Sequence, residues 1–485
     1  MKRICIYILA LVVFTACTDK FEEFNTDSKN PSVVTGEALF TNAEVNLADQ
    51  ISSTDVNLNV FKLFAQHWTE TTYTDETNYN IGTRTIPDNT FQMYYTGNDA
   101  TKSGGFLQDF KVAAEIISKT PAIIQAEKTN KLAIIELLTV YAYQNLVDIF
   151  GDIPYTEALD INNIDPVYDK AATIYQNLIT RVDAALASLD PAAGSFGSAD
   201  VIYGGDVAKW RLFGNSLKLK IGITLSDVNP ALSRATVESA ITGGVFASAE
   251  DNAELPYLSA IHTNTLYEDL VQSGRDDFIP ANTIVDRMNT LQDPRRPFFF
   301  TQIGGVYRGG IYGSLSAYAQ YSHIAPRIAE PDFPGILLTY DEVLFYRAEA
   351  AARGYNAGAT PAQFYNQAIT ASILWWGGTA GDAATYLASP GVAYTSAGSG
   401  ATWQQKIGTQ AWIAFYTRGL EAWTQWRRLD YPVLNIPQTI TNYNLIPKRF
   451  TYPVNEQTLN KANYDAAVAS IGGDALTTKL FWDMH

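Results

Sequence analysis

Apolar side chains recur at helical spacing in three long segments, and each segment ends at a turn signal. A run from residue 132 to residue 147 stops at residues 151–154 (GDIP). Stripes over residues 174–186 and 210–225 stop at Asp190-Pro191 and Asn229-Pro230. Spacing of three or four residues places side chains on one helix face, and Pro does not continue a helix. The pattern predicts a mainly α fold.

Three other segments begin with a capping box, in which a Thr side chain and a Glu or Gln three residues later bond each other's backbone amides. The boxes are Thr339/Glu342, Thr360/Gln363 and Thr402/Gln405. The first two open predicted helices over residues 339–353 and 361–376, which a short connection joins into an antiparallel pair. Pairs of this size recur earlier in the chain, so we predict tetratricopeptide-like helix stacking.

Long stretches between the helices have an irregular texture. Residues 250–334 are rich in Gly, Pro, Tyr and Asn, residues 377–402 in Gly, Ala and Ser, and residues 437–485 are interrupted by Pro and Asn. Such segments are often functional surfaces. We predict one domain over residues 32–485, with long irregular loops, a few short strands, loop-rich insertions near 250–334 and 377–402, and an irregular end.

The amino end has the layout of an export signal. Two basic residues precede an apolar stretch that is too short to span a membrane and ends at Ala16-Cys17. We predict a signal peptide over residues 1–16, lipidation at Cys17, and a flexible stalk over residues 17–31. The other Cys lies in the signal, so acylation would remove the only free thiol of the mature chain. A plain secretory signal beside an incidental Cys is the alternative.

The charge balance and the scarcity of reactive residues exclude several classes of function. The net charge is −16 and no basic cluster occurs, which disfavours nucleic acid and anionic lipid as partners. The four His residues show no metal-ligand spacing, so we predict no metal site and no dissociable cofactor. Aromatic residues make up 12% of the chain, which suits either sugar stacking or a large helical core.

Two chemical alternatives remain open. The loop from Asp160 to Asp165 offers calcium ligands, although it lacks the Gly and the distal Glu of an EF-hand. An αα-fold glycoside hydrolase would need a pair of carboxylates. The most conspicuous acidic residues lie on predicted helices, where capping or ion pairing explains them, so we predict no enzymatic activity. They are Asp341, Glu342, Glu349 and Glu421.

Several motifs resemble the SusD/RagB family of Bacteroidetes outer-membrane nutrient-binding lipoproteins, in particular its SusD-like branch. The resemblance extends from Cys17 to the carboxyl end. Its motifs are residues 145–155 (NLVDIFGDIPY), 340–349 (YDEVLFYRAE), 410–415 (QAWIAF), 419–428 (GLEAWTQWRR) and 446–453 (IPKRFTYP), followed by Asn455-Glu456.

The resemblance implies a SusD-like α-α superhelix that is lipid-anchored in the outer membrane and faces the cell exterior. It also implies that the chain binds oligosaccharides and delivers them to a SusC-like TonB-dependent transporter. The acidic residues Asp19, Glu22 and Glu23 are similar to the surface-export signal of such lipoproteins. The motif residues Trp412, Trp423, Trp426, Arg427 and Arg428 are expected to hold the helical frame rather than ligand.

The same resemblance implies shallow ligand binding by loop aromatics that stack on sugar faces. Candidate loops occur in residues 68–95, 307–321 and 375–394. The predicted ligand-binding residues are Tyr73, Tyr79, Tyr94, Tyr312, Tyr318, Trp375 and Trp376. Trp68 follows Phe61 and Phe64 at helical spacing and is assigned to packing. A peptide-capturing RagB-like protein would keep the same frame with a deeper pocket, whereas a pure helical scaffold would expose no aromatic cluster.

Overall fold

The computed structural model describes residues 34–97, 104–440 and 445–485. The predicted signal peptide, the lipidation at Cys17 and the stalk to residue 31 lie outside the described residues and stay predictions. In the described ranges the chain is predominantly helical, as the apolar stripes predict.

The helices begin and end as follows: α1 (Gly36–Ser52), α2 (Phe61–Phe64), α3 (Ile86–Tyr95), α4 (Phe106–Lys119), α5 (Gln125–Phe150), α6 (Ala171–Ser188), α7 (Val207–Thr224), α8 (Pro230–Gly243), α9 (Thr265–Tyr267), α10 (Asn282–Leu291), α11 (Arg296–Phe299), α12 (Tyr340–Ala352), α13 (Pro361–Trp375), α14 (Ala380–Ala388), α15 (Trp403–Ala414), α16 (Gly419–Leu429), α17 (Glu456–Leu459) and α18 (Lys461–Ile471).

Many of these helices pack in pairs, and most of the closest pairs join helices that are consecutive in the chain. The closest pairs are α12 with α13, α1 with α4, α7 with α8 and α5 with α6. The predicted pair over residues 339–353 and 361–376 is therefore confirmed as α12 and α13. The arrangement is the tetratricopeptide-like superhelix that the sequence predicts.

Helix α5 forms the middle of the core. Within the described residues it is the one helix long and apolar enough to cross a membrane, but 83% of its most apolar window is buried inside the protein. Neighbouring helices contribute Phe40, Phe110, Trp210 and Phe213 to the same apolar cluster. An all-round apolar helix is expected at such a central position.

Short antiparallel strands pair segments that are far apart in sequence. Strand β1 (Trp68–Glu70) pairs with β5 (Phe278–Pro280), β2 (Ile153–Pro154) with β3 (Tyr168–Asp169), and β4 (Ala253–Leu255) with β6 (Gly335–Leu338). In the first pair, Thr69 lies opposite Ile279. This pairing brings the loop after β1 beside the loop before β5.

The three predicted capping boxes have different outcomes. At Thr360 both halves form, because its hydroxyl accepts from the Gln363 amide and the Gln363 side chain accepts from the Thr360 amide. At Thr402 only the first half forms, since Gln405 Oε1 accepts from the Ala401 amide instead.

The capping box predicted at Thr339 does not form, so that prediction is wrong. Arg418 Nη1 donates to the Thr339 hydroxyl at 2.6 Å, and that hydroxyl donates to Asp341 rather than capping the helix amides. Glu342 is fully buried, and its Oε2 lies 2.8 Å from Arg418 Nη1. Leaving a buried carboxylate unpaired costs more free energy than leaving a helix start uncapped. Arg418 therefore pairs with Glu342 and also bonds the Thr339 hydroxyl, which does not cap α12.

The irregular stretches contain more helix than their composition predicts. Helix α14 lies within residues 377–402, where Thr379 and Asp382 form a capping box. Helix α18 lies within residues 437–485, and helix α10 within residues 250–334. Helices α14 and α18 are Ala-rich and give a weak periodic signal, whereas α10 has an apolar stripe of Ile284, Val285 and Met288 inside a segment whose Gly, Pro and Asn content indicated loops.

The predicted frame residues near the carboxyl end are buried. Trp412 and Trp423 donate their indole N–H groups to the carbonyls of Ala65 and Pro447, at 2.8 and 3.0 Å. The Arg427 guanidinium stacks on the Trp423 ring at 3.5 Å. These bonds tie α15 and α16 to α2 and to the carboxyl-terminal segment.

Candidate functional site

Four of the seven predicted ligand-binding aromatics are core residues, which corrects the prediction at those positions. Tyr79, Tyr94, Tyr312 and Trp376 are all buried. The Tyr312 hydroxyl donates to the Leu63 carbonyl at 2.9 Å. Stacking on a sugar needs a ring face open to solvent, and these four rings use their faces and edges for packing.

Each of these four rings has aromatic neighbours. Tyr79 packs edge-on against Phe64, with centroids 5.5 Å apart, and Tyr94 packs against Phe106 at 4.7 Å. Trp376 lies between Phe299 and Phe333. Edge-to-face pairs of this kind stabilise a core. Trp68 is also fully buried, so its assignment to packing is confirmed.

The three remaining aromatics reach the surface. Tyr73 is 59% exposed. Tyr318 is half-buried and stacks on His323, with centroids 3.8 Å apart and planes 13° apart. Trp375 is half-buried too, but its indole N–H donates to Glu254 Oε1 at 2.8 Å and its ring packs on Trp376. Tyr73 is therefore the most accessible of the predicted rings.

Tyr73 lines a cleft of about 270 Å³, which we call the Tyr73 cleft. Three segments form its walls: the turn after α1, the loop after β1, and the segment that leads into β5. Its lining residues are Thr54, Asp55, Val56, Asn57, Glu70, Tyr73, Arg84, Asp269, Ser273, Arg275, Asp277 and Phe278. The lining therefore combines one exposed ring with many hydrogen-bonding groups.

The loop that carries Tyr318 lies beside the Tyr73 cleft. The Ser316 amide donates to the Thr71 carbonyl at 3.0 Å, and Asn78 Nδ2 donates to the Gly313 carbonyl at 2.9 Å. These bonds hold the 313–318 loop against the loop after β1. The structure thus brings Tyr73 and Tyr318 to the same side of the molecule, whereas Trp375 lies elsewhere, beside Glu254.

Both arginines of the cleft are paired with carboxylates. Arg84 Nε lies 2.7 Å from Glu76 Oε1, and Arg275 Nη2 donates to Asp277 Oδ1 at 3.2 Å. Glu76 is buried while Arg84 is only partly so. A paired guanidinium has restricted freedom but keeps other N–H donors for a ligand hydroxyl.

The buried carboxyl group of Glu70 fixes the loop after β1, which forms one wall of the Tyr73 cleft. Glu70 Oε2 accepts from the Thr77 amide at 3.0 Å and from the Thr77 hydroxyl at 2.8 Å. Burial and the nearby Glu76 raise the pKa of Glu70 above its usual range. The raised pKa favours the protonated form of Glu70, which lessens its repulsion from Glu76.

The opposite wall carries the carboxylates of Asp55 and Asp269. The Thr54 amide donates to Asp269 Oδ2 at 3.2 Å. Burial, together with the charge of Asp55, raises the pKa of Asp269 to about 6. Lys62 lies deeper and donates to the Ser52 and Ser53 carbonyls, and burial lowers its pKa to about 7. The wall is therefore polar and charged at neutral pH.

Sequence reasoning did not single out Arg84, Arg275, Asp55 or Asp269. Each is a polar residue in a connecting segment and belongs to none of the sequence motifs described above. The β1–β5 pairing brings the segments of Arg84, Asp269 and Arg275 together, and the bond from the Thr54 amide to Asp269 adds the turn that carries Asp55. The single useful signal was the polar surroundings of Tyr73, which offer few packing partners in the sequence.

The loop from Asp160 to Asp165, the alternative calcium site, makes its own internal hydrogen bonds. Asp160 Oδ1 accepts from the Asn162 amide and from Asn162 Nδ2, both at 3.0 Å. Among the described residues, no group of three or more His, Cys, Asp or Glu is arranged to hold a metal ion. Calcium binding at this loop stays an open alternative, and the absence of a metal site and of a cofactor stays a prediction.

Comparison with known proteins gives a consistent result. The sequence profile of a SusD-like family, described as starch-binding and associating with the outer membrane, matches residues 28–453. None of the curated proteins compared by sequence matches the chain.

Several solved structures share the fold. A SusD homologue from Bacteroides uniformis is 28% identical, with a TM-score of 0.74 over 92% of this chain and 99% of its own. A chitin-binding protein is 25% identical, with a TM-score of 0.78 over 93% and 100%. A chitin-binding SusD homologue from Flavobacterium johnsoniae is 24% identical, with a TM-score of 0.73 over 92% and 98%.

Proposed function

This chain belongs to the SusD-like family of starch-binding proteins that associate with the outer membrane, and we propose that it binds oligosaccharides in the Tyr73 cleft for uptake. The observation that carries the proposal is the exposed Tyr73 ring beside hydrogen-bonding side chains that are held by ion pairs. An open ring offers a face for a sugar, and fixed polar groups bond its hydroxyls. Tyr318, on the adjoining loop, provides a second ring on the same side.

The nature of the relatives supports a glycan as the ligand. One structure that is 25% identical to this chain is described as a chitin-binding protein. The cleft is open and polar, which suits a hydroxyl-rich ligand better than an apolar one. A peptide would be held mainly through apolar pockets and backbone hydrogen bonds.

We further propose that the chain works as a lid beside a SusC-like TonB-dependent transporter, tethered by lipid at Cys17 on the outer face of the outer membrane. The resemblance of the amino end to a lipoprotein signal supports the tether. Several acyl chains would be needed for stable anchoring. A tether would keep the captured oligosaccharide close to the pore.

The proposal contains no catalytic step. Three acidic residues that a glycoside hydrolase could use as catalytic carboxylates are fully or almost fully buried: Glu342, Glu349 and Glu421. Arg428 Nη2 lies 2.5 Å from Glu349 Oε1, and Lys220 Nζ lies 3.3 Å from Glu421 Oε1. Carboxylates enclosed in a core cannot reach a glycosidic bond, so these residues have a structural role.

Binding of the soluble chain, without residues 1–17, to glycan and peptide panels tests the proposal. We expect binding to an oligosaccharide. Tyr73→Ala should weaken that binding by ~10-fold or more, because an exposed aromatic anchor contributes over 1 kcal/mol. Tyr73→Phe keeps the ring and should retain most of the affinity.

A matched control is Tyr340→Ala, which removes a half-buried ring from the first turn of α12. It should leave binding unchanged. Tight capture of a peptide with no affinity for any glycan would contradict the proposed ligand. Release of shorter sugars would show a hydrolase, and full affinity in Tyr73→Ala would place the glycan outside the Tyr73 cleft.

A further inference from the structure

A second, smaller pocket lies among α10, α15 and the segment after α16, and we call it the Arg287 pocket. Its volume is about 80 Å³. It shares no lining residue with the Tyr73 cleft. The side chains that matter for its chemistry are Arg287, Gln405, Lys406, Thr409 and Gln410.

The lining of this pocket is positively charged in a chain whose net charge is −16. Arg287 and Lys406 contribute cations, and no Asp or Glu lines the pocket. Gln410 Oε1 accepts from Arg295 Nη2 at 3.2 Å. The charge of Arg295 is balanced by Asp293, whose Oδ2 lies 2.6 Å from Arg295 Nη2. The Arg295–Asp293 pair behind the pocket therefore has no net charge, whereas the pocket lining carries the positive charges of Arg287 and Lys406.

Arg287 is half-buried and has no hydrogen-bond, ion-pair or ring partner in the described part of the chain. Most arginines of the helical frame are paired, for example Arg353 with Asp227 at 2.6 Å and Arg418 with Glu342 at 2.8 Å. Partial burial of an unpaired guanidinium is unfavourable. Its planar fork of N–H donors matches a carboxylate, sulfate or phosphate group.

Other donors surround the same space. Lys406 Nζ donates to the Tyr394 carbonyl at 2.6 Å and keeps two further N–H groups. Gln405 Oε1 accepts from the Ala401 amide at 2.9 Å, which leaves its amide nitrogen as a donor. The Thr409 hydroxyl can also donate. Tyr365, whose hydroxyl donates to the Val392 carbonyl at 2.8 Å, fixes the loop that closes one side.

We propose that the Arg287 pocket binds a small oxyanion group: a carboxylate, sulfate or phosphate. The group comes either from a substituent on a glycan or from a free anion. Arg287 supplies the two-pronged contact, Lys406 the second charge, and Gln405 and Thr409 neutral hydrogen bonds. The pocket is too small for a sugar chain, so it recognises a substituent or a lone ion and works independently of stacking at Tyr73.

Calorimetric titration of the purified chain at constant ionic strength tests this site. The probes are sodium phosphate, sulfate and acetate, then glucose 6-sulfate, glucose 6-phosphate and galacturonic acid, with glucose as the neutral reference. We expect at least one anion to bind with a one-to-one stoichiometry. Arg287→Met should weaken it by ~10-fold or more, because a charge-assisted bidentate contact is lost.

Matched variants separate this site from general charge effects. Arg287→Lys keeps the charge without the fork and should retain part of the affinity. Arg211→Met removes an exposed arginine of α7 and should change nothing. Arg287→Met should leave the circular dichroism spectrum unchanged and should not lower the melting temperature, because Arg287 has no side-chain partner to lose among the described residues.

The probes also distinguish the two sources. Tighter binding of a charged sugar than of its inorganic anion assigns the pocket to a glycan substituent, and the reverse order assigns it to a free anion. Absence of binding by every anion, or equal losses in Arg287→Met and Arg211→Met, would overturn the proposal. Tyr73→Ala should leave the inorganic-anion affinity unchanged, so loss of glycan binding in the Tyr73 cleft cannot be mistaken for failure of this pocket.

Discussion

At the scale of single residues, buried charges connect the helices of the core. Lys220 on α7 lies between Glu342 on α12 and Glu421 on α16, at 3.3 Å from each. Arg418 binds Glu342 from the other side. Opposite charges in such a group compensate for the loss of water only while all partners are present. We call Lys220, Glu342, Arg418 and Glu421 the core ion cluster.

Removing one member should be strongly destabilising. In Glu342→Ala, Lys220 and Arg418 would keep buried charges with fewer partners, so we expect the free energy of unfolding to fall by ~3–5 kcal/mol. Urea denaturation followed by fluorescence measures the change. Glu115→Ala, which breaks the exposed pair of Glu115 with Lys111, should have little effect. Equal midpoints for both variants would refute a central role of the cluster.

The pair of His262 and Asp49 should make stability depend on pH. His262 Nε2 lies 3.0 Å from Asp49 Oδ2, and this hydrogen bond raises the pKa of His262. A raised folded-state pKa stabilises the fold below the unfolded value of about 6.5, and the contribution disappears as pH rises through the folded value. His262→Gln should therefore lower the melting temperature more at about pH 5.5 than at about pH 8.5.

The pair is partly exposed, so the effect should be modest. Titration of the His262 ring protons by NMR gives the folded pKa directly. A melting-temperature loss that is the same at both pH values, or a ring that titrates below 6.5, would contradict the prediction.

At the scale of elements, helix starts depend on local hydrogen bonds unless a buried charge competes. The boxes at Thr360 and Thr379 form completely. At Thr339 the hydroxyl bonds Asp341 and Arg418 instead. The same sequence signature thus gives different caps, because only at Thr339 does a buried arginine take the hydroxyl.

Thr360→Ala should weaken the start of α13. The Thr360 hydroxyl accepts from the Gln363 amide at 3.3 Å, and its loss should cost about 1 kcal/mol. Thermal or urea unfolding measures the change. Thr180→Ala, in the exposed middle of α6, is the matched control and should be neutral, since its hydroxyl bonds only the Gln176 carbonyl of its own helix. Equal stability of the two variants would show that the cap contributes nothing.

At the scale of the whole molecule, the amino-terminal and carboxyl-terminal halves meet where α2 packs on α16. Gly419 lies at the start of α16, and a Cβ at this position would overlap the Lys62 amide nitrogen and the Phe61 carbonyl carbon. Phe61 also stacks on Trp423, with centroids 5.5 Å apart. Only a residue without a side chain allows this approach.

Gly419→Ala should therefore push α2 away from α16 and lower the free energy of unfolding by ~1–3 kcal/mol. Gly82→Ala is the matched control, because a Cβ there would meet nothing within 4 Å. Differential scanning calorimetry of the two variants measures the effect. A stable Gly419→Ala variant would mean that the two helices do not need so close an approach.

Prediction from sequence succeeded where the signal is local and periodic. The apolar stripe over residues 174–186 predicts α6, and residues 210–225 predict α7, because side chains three and four residues apart must share a face. The motif over residues 419–428 predicts buried frame residues, and Trp423 and Arg427 are indeed buried. The family follows from the same motifs, and its profile matches most of the chain.

The sequence by itself determined the helices with clear apolar stripes, such as α6 and α7, the start of α13, the family and the burial of Trp68. Tertiary structure alone decided which tyrosine is open, because Tyr73 and Tyr79 have similar polar neighbours in sequence, yet only Tyr79 is covered by Phe64 and Tyr312. It also decided which distant segments meet, as in the β1–β5 pairing and the Arg287 pocket. Local spacing sets the faces of an element, whereas exposure depends on contacts between residues far apart in the chain.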